Sequence, residues 1–244
     1  MSPAATTTRK ADRVADDLLR RIVSGELAVG SLLPRENALA ERYGVNRGVV
    51  REAVKLLEVH RLVRPRRRRG TEVLDPMESL SPEVLAAMLE PAPGRVDPEV
   101  FADLLELRAE LDEAMVRLAA ERRSEEDLVA LDEALADVRA AEAADDAEAT
   151  SRAMNRMALA IARASQNRLY PMLVHWHRRI VASLFDLFRE VRRPSPQHTQ
   201  GVELLVALIR QRDVEGAAAL VRAFHAFATP RLLDAVREAQ EESP

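Results

Sequence analysis

A chain of 244 residues with 47% apolar, 31% charged and 3% aromatic side chains, and 8 Gly, has enough apolar mass for a core and reads as a helical protein of one large or two ordinary domains. The absence of Cys excludes disulfides, thiolate metal sites and a thiol nucleophile. Charges break every apolar run well before the ~18 residues of a membrane span, and the first ten residues lack the apolar stretch of a secretory signal, so the expected compartment is the cytoplasm.

In chain order, the first predicted helix runs from about Ala11 to Ser24, with Val14, Leu18, Leu19 and Ile22 on one stripe. Gly25 stops it, and Gly30 and Pro34 mark a turn. A second helix starts near Arg35 and ends at Gly44; a third runs from about Arg47 to His60 with Val50, Val54 and Leu57 inward. Leu62–Val63 and Thr71–Val73 form a short hairpin whose basic tip is bracketed by Pro65 and Gly70. Residues 1–75 are thus a first domain. Residues 76–97, rich in Pro, are expected to be a linker with one short helix capped by Ser81. Residues 98–240 read as a second, all-helical domain, with segments over about 98–122, 125–143, 146–164, 168–191, 198–211 and from Asp213 towards Gln240. The fold class is mainly α: a winged helix-turn-helix followed by an all-α bundle of six or seven helices.

The net charge of −4 is unevenly spread. Residues 1–75 carry 16 Lys and Arg against 10 Asp and Glu, and the remainder carries 20 against 30. A basic head on an acidic body fits a chain that touches double-stranded DNA through one part only. A helix fits the major groove and presents its leading side chains to base edges. Here those are Asn46, Arg47, Gly48 and Arg51, and Arg47 and Arg51, four apart, share a face. Arg47 is placed to offer its planar fork to guanine. Gly48 disfavours an early helical turn, and close approach of backbone to DNA would account for it. Arg66, Arg67, Arg68 and Arg69 on the wing suit the minor groove or the phosphates.

The stretch L-P-R-E-N-A-L-A-E-R-Y-G-V-N-R-G-V-V-R-E-A-V-K-L-L-E, beginning at Leu33, and the following L-V-R-P-R-R-R-R-G-T-E-V resemble the GntR family of bacterial transcription regulators. The resemblance covers nearly all of residues 11–74. It implies that Arg47 and Arg51 contact an operator and that Gly70 lets the wing tip approach the groove. The family usually has Arg directly after Glu36, whereas this chain has Asn37, with Arg35 two residues earlier. The resemblance therefore implies a shifted operator preference, with Arg35 as a replacement contact.

Residues 104–124, A-R-A-S-Q-N-R-L at 162–169 and R-D-V-E-G-A-A-A-L-V-R at 212–222 resemble the ligand-binding domain of the FadR branch of that family. This implies a homodimer on a short palindromic operator, with a small effector in the bundle. Many members hold a metal there with one Asp and three His. Those positions fall here at Met154, Ala158, Val202 and Phe224, none of which can replace carboxylate or imidazole. No metal and no other cofactor is expected. His175 and His177 face different ways on one helix, His198 adjoins a Pro-rich turn, and His225 lies one residue from a family ligand position. An apolar lining of Met154, Met157, Ala158, Ile161, Val202, Leu205, Phe224 and Trp176 suits a hydrophobic or acyl-bearing acid. The resemblance to the FadR branch, whose name-giving fatty-acid regulator binds long-chain acyl-CoA without that metal, implies acyl-CoA as the leading expectation. The polar candidates near it are Arg108, Arg152, Asn155 and Arg178. The alternatives are a small organic acid held through a metal, or a DNA-binding protein without effector. No Ser-His-Asp order, metal cluster or Gly-rich phosphate loop speaks for an enzyme.

Overall fold

The computed structural model describes residues 3–92, 94–184, 187–188 and 195–241. Within the first of its two units, Met1–Asp97, lie α1 (Pro3–Val23), α2 (Glu36–Tyr43), α3 (Arg47–Val59), β1 (Val63–Arg66), β2 (Gly70–Val73) and α4 (Pro82–Leu89). Helix α1 begins well ahead of the expected Ala11; Pro3 opens it and the run A-A-T-T-T-R-K holds no breaker. Val14, Leu18 and Ile22 of α1 meet Leu39 of α2, Val50, Ala53 and Leu57 of α3, and Val63 and Val73 of the hairpin in one core. Tyr43 Oη donates to Asp17 Oδ2 at 2.5 Å, tying α2 to α1. Gly44, at φ 61, supplies the left-handed residue that turns α2 into α3.

β1 and β2 pair antiparallel, with Val63 opposite Val73 and Arg66 opposite Gly70. Residues 30–33 run beside β2: Gly30 N–H donates to Val73 O, Val73 N–H to Ser31 O and Leu33 N–H to Thr71 O. Gly70 has φ 120, a conformation that L side chains rarely adopt. Arg68, in the tip, stands in the left-handed region at φ 62 without being glycine.

The segment expected as a linker behaves differently from a free connector. Ser81 caps α4 as anticipated, accepting from Glu83 N–H at 3.2 Å. Val84 and Ala87, three apart on one face, then join the core of the first unit, with Met88 packed against it. Ser79 Oγ donates to His60 O at 2.8 Å. Ser81 Oγ gives its single proton to Glu83 Oε2, so His60 Nδ1–H is the donor in its 2.9 Å contact with Ser81. The linker helix is thereby fastened to the end of α3.

The second unit, Pro98–Pro244, contains α5 (Pro98–Arg122), α6 (Glu125–Ala143), α7 (Ala147–Ala164), α8 (Tyr170–Ile180), α9 (Pro196–Gln211) and α10 (Val214–Glu241) among the described residues. Caps explain the boundaries. Ser124 and Asp127 form a capping box, Asp146 accepts from Glu148 and Ala149 N–H, and Ser195 accepts from His198 N–H. The helix expected over 168–191 ends at Ile180, where the β-branched pair Ile180–Val181 weakens helical propensity, and a single turn, Ala182–Leu184, follows. The rest of that expected span, 185–186 and 189–191, lies outside the described residues. α5 packs along α10, α6 along α7, and α9 lies against α5, α6 and α10. Met115, Val116, Leu131, Leu135, Met157, Val206 and Ile209 are in the core between them.

Candidate nucleic-acid interface and helical-domain site

Asn46 sets the start of the recognition helix α3. Its Oδ1 accepts from Val49 N–H at 3.0 Å, so this side chain, expected on DNA, is used as the helix cap. A Cβ at Gly48 would lie 3.1 Å from Asn46 Oδ1, close enough that the capping side chain would have to give by a few tenths of an ångström, so the glycine eases the cap. Arg47 projects from the first turn, exposed and without an ion pair among the described residues. Arg51, one turn on, is also exposed, but its Nε donates to both carboxylate oxygens of Glu36, at 2.9 and 3.1 Å. This pairing orients Arg51 and has no signature in the sequence, since a separation of fifteen residues gives no periodic signal. Arg35 and Asn37 flank Glu36 and are exposed at the head of α2. The structure thus sets Arg35, Asn37, Arg47 and Arg51 on α2 and α3 of one unit, with Glu36 bridging the two helices.

On the wing, Arg67, Arg68 and Arg69 are exposed, and their side chains make no ion pair among the described residues. Arg64 and Arg66 both donate to Glu72 Oε2, at 3.1 and 2.6 Å. Bonds from Arg66 and then Arg64 hold the Glu72 carboxyl below the usual carboxylate range.

In the helical unit, Met154 packs half-buried against the core and Val202 is within it. Asn155 and Ala158 are half-buried on α7. Phe224, expected to line an interior cavity, is instead 44% exposed and stacks on His198, with ring centroids 5.8 Å apart. Burial lowers the His198 pKa from its ordinary value, only partly opposed by Glu142. Arg108 is drawn into a polar network: its Nε donates to Asp112 Oδ2 at 3.2 Å and its Nη1 to His177 Nε2 at 3.1 Å. His225 Nε2–H donates to the same Asp112 oxygen at 3.1 Å. That bond joins residues 113 apart, so only Arg108 and Asp112, four apart on α5, are visible as a pair in the sequence.

Burial alone would raise the Asp112 pKa, but the His225 bond and the Arg108 charge outweigh it and hold it lowered. A carboxyl depressed in the folded state stabilises the fold above its unfolded value near ~4. That contribution is lost as pH falls through the lower folded value. Asp112→Asn is therefore expected to lower the unfolding midpoint of the protein at pH 7 and to lose that deficit in more acidic buffer, measured by thermal unfolding across pH. A deficit that does not change with pH would show that Asp112 acts through packing alone.

At the positions where the resemblance places family metal ligands, Met154, Ala158, Val202 and Phe224 offer no suitable donor, so these residues do not fit a divalent ion. Among the described residues, no three His, Asp or Glu side chains are grouped to hold one. Nor is any described helix long and apolar enough to cross a membrane.

Residues 10–73 match the model of the gntR family of bacterial regulatory proteins, and residues 103–226 match that of the FCD domain. The chain belongs to the GntR family. The regulator is 34% identical to the HTH-type transcriptional regulator Rv0494 of Mycobacterium tuberculosis over 68% of its own length and 65% of that protein's. It is 29% identical to the galactonate operon transcriptional repressor of Escherichia coli, over 93% of this chain and 98% of that one. The fold of the regulator resembles that of Lar from Listeria monocytogenes, with TM-score 0.59, 20% identity, and coverage of 93% and 96% of the two chains. The relatives are transcriptional regulators rather than enzymes.

Proposed function

We propose that this regulator is a member of the FadR branch that binds a short palindromic operator as a homodimer in the cytoplasm and responds to a hydrophobic acid, of which acyl-CoA is the leading candidate. The observation that carries the effector reading is the apolar character of Met154, Ala158 and Val202 within an FCD-domain match. Carboxylate and imidazole at those positions would suit a metal-held acid; alkyl and thioether groups suit an acyl chain. Two-fold symmetry would give one recognition helix and one wing per half-site, with Arg35 reaching the DNA in place of the arginine that relatives carry at the position of Asn37. Effector and DNA would then alter each other's affinity by the same factor.

A small polar acid is the second reading. It is favoured by the cluster of Arg108, His177 and His225, and by the operon repressor that the chain matches over 98% of its length. A thermal-shift panel separates the two. At about a hundredfold excess over Kd a specific ligand adds roughly 2.7 kcal/mol, which raises the melting temperature by several degrees. Medium- and long-chain acyl-CoAs are expected to give that shift; sugar acids giving it while acyl-CoAs leave the midpoint unmoved would replace the first reading with the second.

A further inference from the structure

Five arginines crowd the wing, and they fall into two sets. Arg64 and Arg66 are two apart on β1 and share one face of the ribbon, and Arg64 stands opposite Glu72 on β2. Their two guanidinium groups converge on a single oxygen, Glu72 Oε2. The side chain of Glu72 is 24% exposed, against 52% for Arg64 and 45% for Arg66, so the carboxylate belongs to the least exposed of the three side chains. Arg67, Arg68 and Arg69 at the tip make no such ion pair among the described residues. Glu72 also stays ionised at every pH where the protein would meet DNA, because the same two bonds hold its carboxyl low.

We propose that Glu72 is an internal stand-in for a DNA phosphate: it occupies Arg64 and Arg66, so that the wing offers any duplex three free cations in place of five. The proposal rests on the reading of the first unit as a DNA-binding head. A carboxylate and a phosphate present the same kind of oxygen to a guanidinium fork, so they compete for it. Each phosphate contact adds affinity to every sequence alike through counterion release. Withholding two of them lowers sequence-independent binding while leaving the base-reading side chains of α3 untouched. Glu72 is thereby a specificity-determining residue that never needs to touch a base.

The test uses the full-length protein and a labelled duplex of mixed sequence, with anisotropy read from about 50 to 300 mM KCl. Glu72→Gln keeps the size of the side chain and removes its charge. It is expected to steepen the slope of log K against log salt by about 2, at ~0.9 per contact, and to tighten binding at 0.1 M salt by roughly tenfold or more. Adding Arg64→Ser and Arg66→Ser to that variant is expected to remove both gains. An unchanged slope means that Glu72 is structural only, and a shallower one means that it aims the arginines at DNA; either result overturns the proposal while wild-type binding stands. Wild-type protein that holds no duplex at about 50 mM salt would overturn the DNA-binding reading and this proposal with it.

Discussion

Arg47→Ala combined with Arg51→Ala is expected to abolish selective binding of the regulator to its operator. A well-placed guanidinium contributes about 1–3 kcal/mol of discrimination, so the pair should cost between roughly thirtyfold and ten-thousandfold in operator affinity. Both side chains are exposed, which keeps the substitution from acting through the core. The measurement is a mobility shift on the duplex that the wild-type protein selects from a random pool, with circular dichroism as the check on folding. Arg35→Ala alone should weaken the same complex by about tenfold and make its salt slope shallower by about 1 if that residue touches a phosphate. Undiminished retardation by the double variant would remove α3 as the reading element.

Leu57→Ala should have the largest effect on stability. Leu57 is fully buried and joins α3 to α1 and the hairpin in the core of the first unit. Truncating such a leucine costs about 2–5 kcal/mol through forfeited transfer energy and the cavity left behind. The expected result is a lower urea midpoint together with weaker DNA binding, since α3 loses its seat. Leu107→Ala, at a position 49% exposed on α5, provides the contrast and should stay within about 0.5 kcal/mol of the parent. Equal effects at the two positions would mean that Leu57 does not hold the core together.

The elements most legible in the sequence are those with a local cause. Ser124 with Asp127, Asp146, Ser195 and Gly44 stop or start helices through bonds to backbone groups within four residues, and such signals survive without any tertiary knowledge. The hairpin is legible because Pro65 and Gly70 punctuate it between short apolar ends. The exposed cations of α3 and the wing tip are legible for the same reason. What escapes is everything closed over distance. Glu36 with Arg51, Glu72 with two arginines, and Asp112 with His225 are hydrogen-bonded pairings that many other carboxylates in this acidic chain could equally have made. The packing of α4 into the first unit escapes because the prolines around it read as connector, and Val84, Ala87 and Met88 make only a short apolar face. Gly48 stands out in the sequence as a glycine where one is disfavoured, while its tight approach to the capping side chain two residues before it shows only in the structure.

The left-handed backbone at Arg68 has a consequence for how this molecule would respond to selection for heat resistance. A non-glycine residue in that conformation carries roughly 1–2 kcal/mol of steric strain, and glycine at the same place would be free of it. A laboratory campaign that rewards thermostability alone should therefore drift towards glycine here, at the expense of one cation on the hairpin's apex. Thermal endurance and grip on the double helix would then move in opposite directions through one codon.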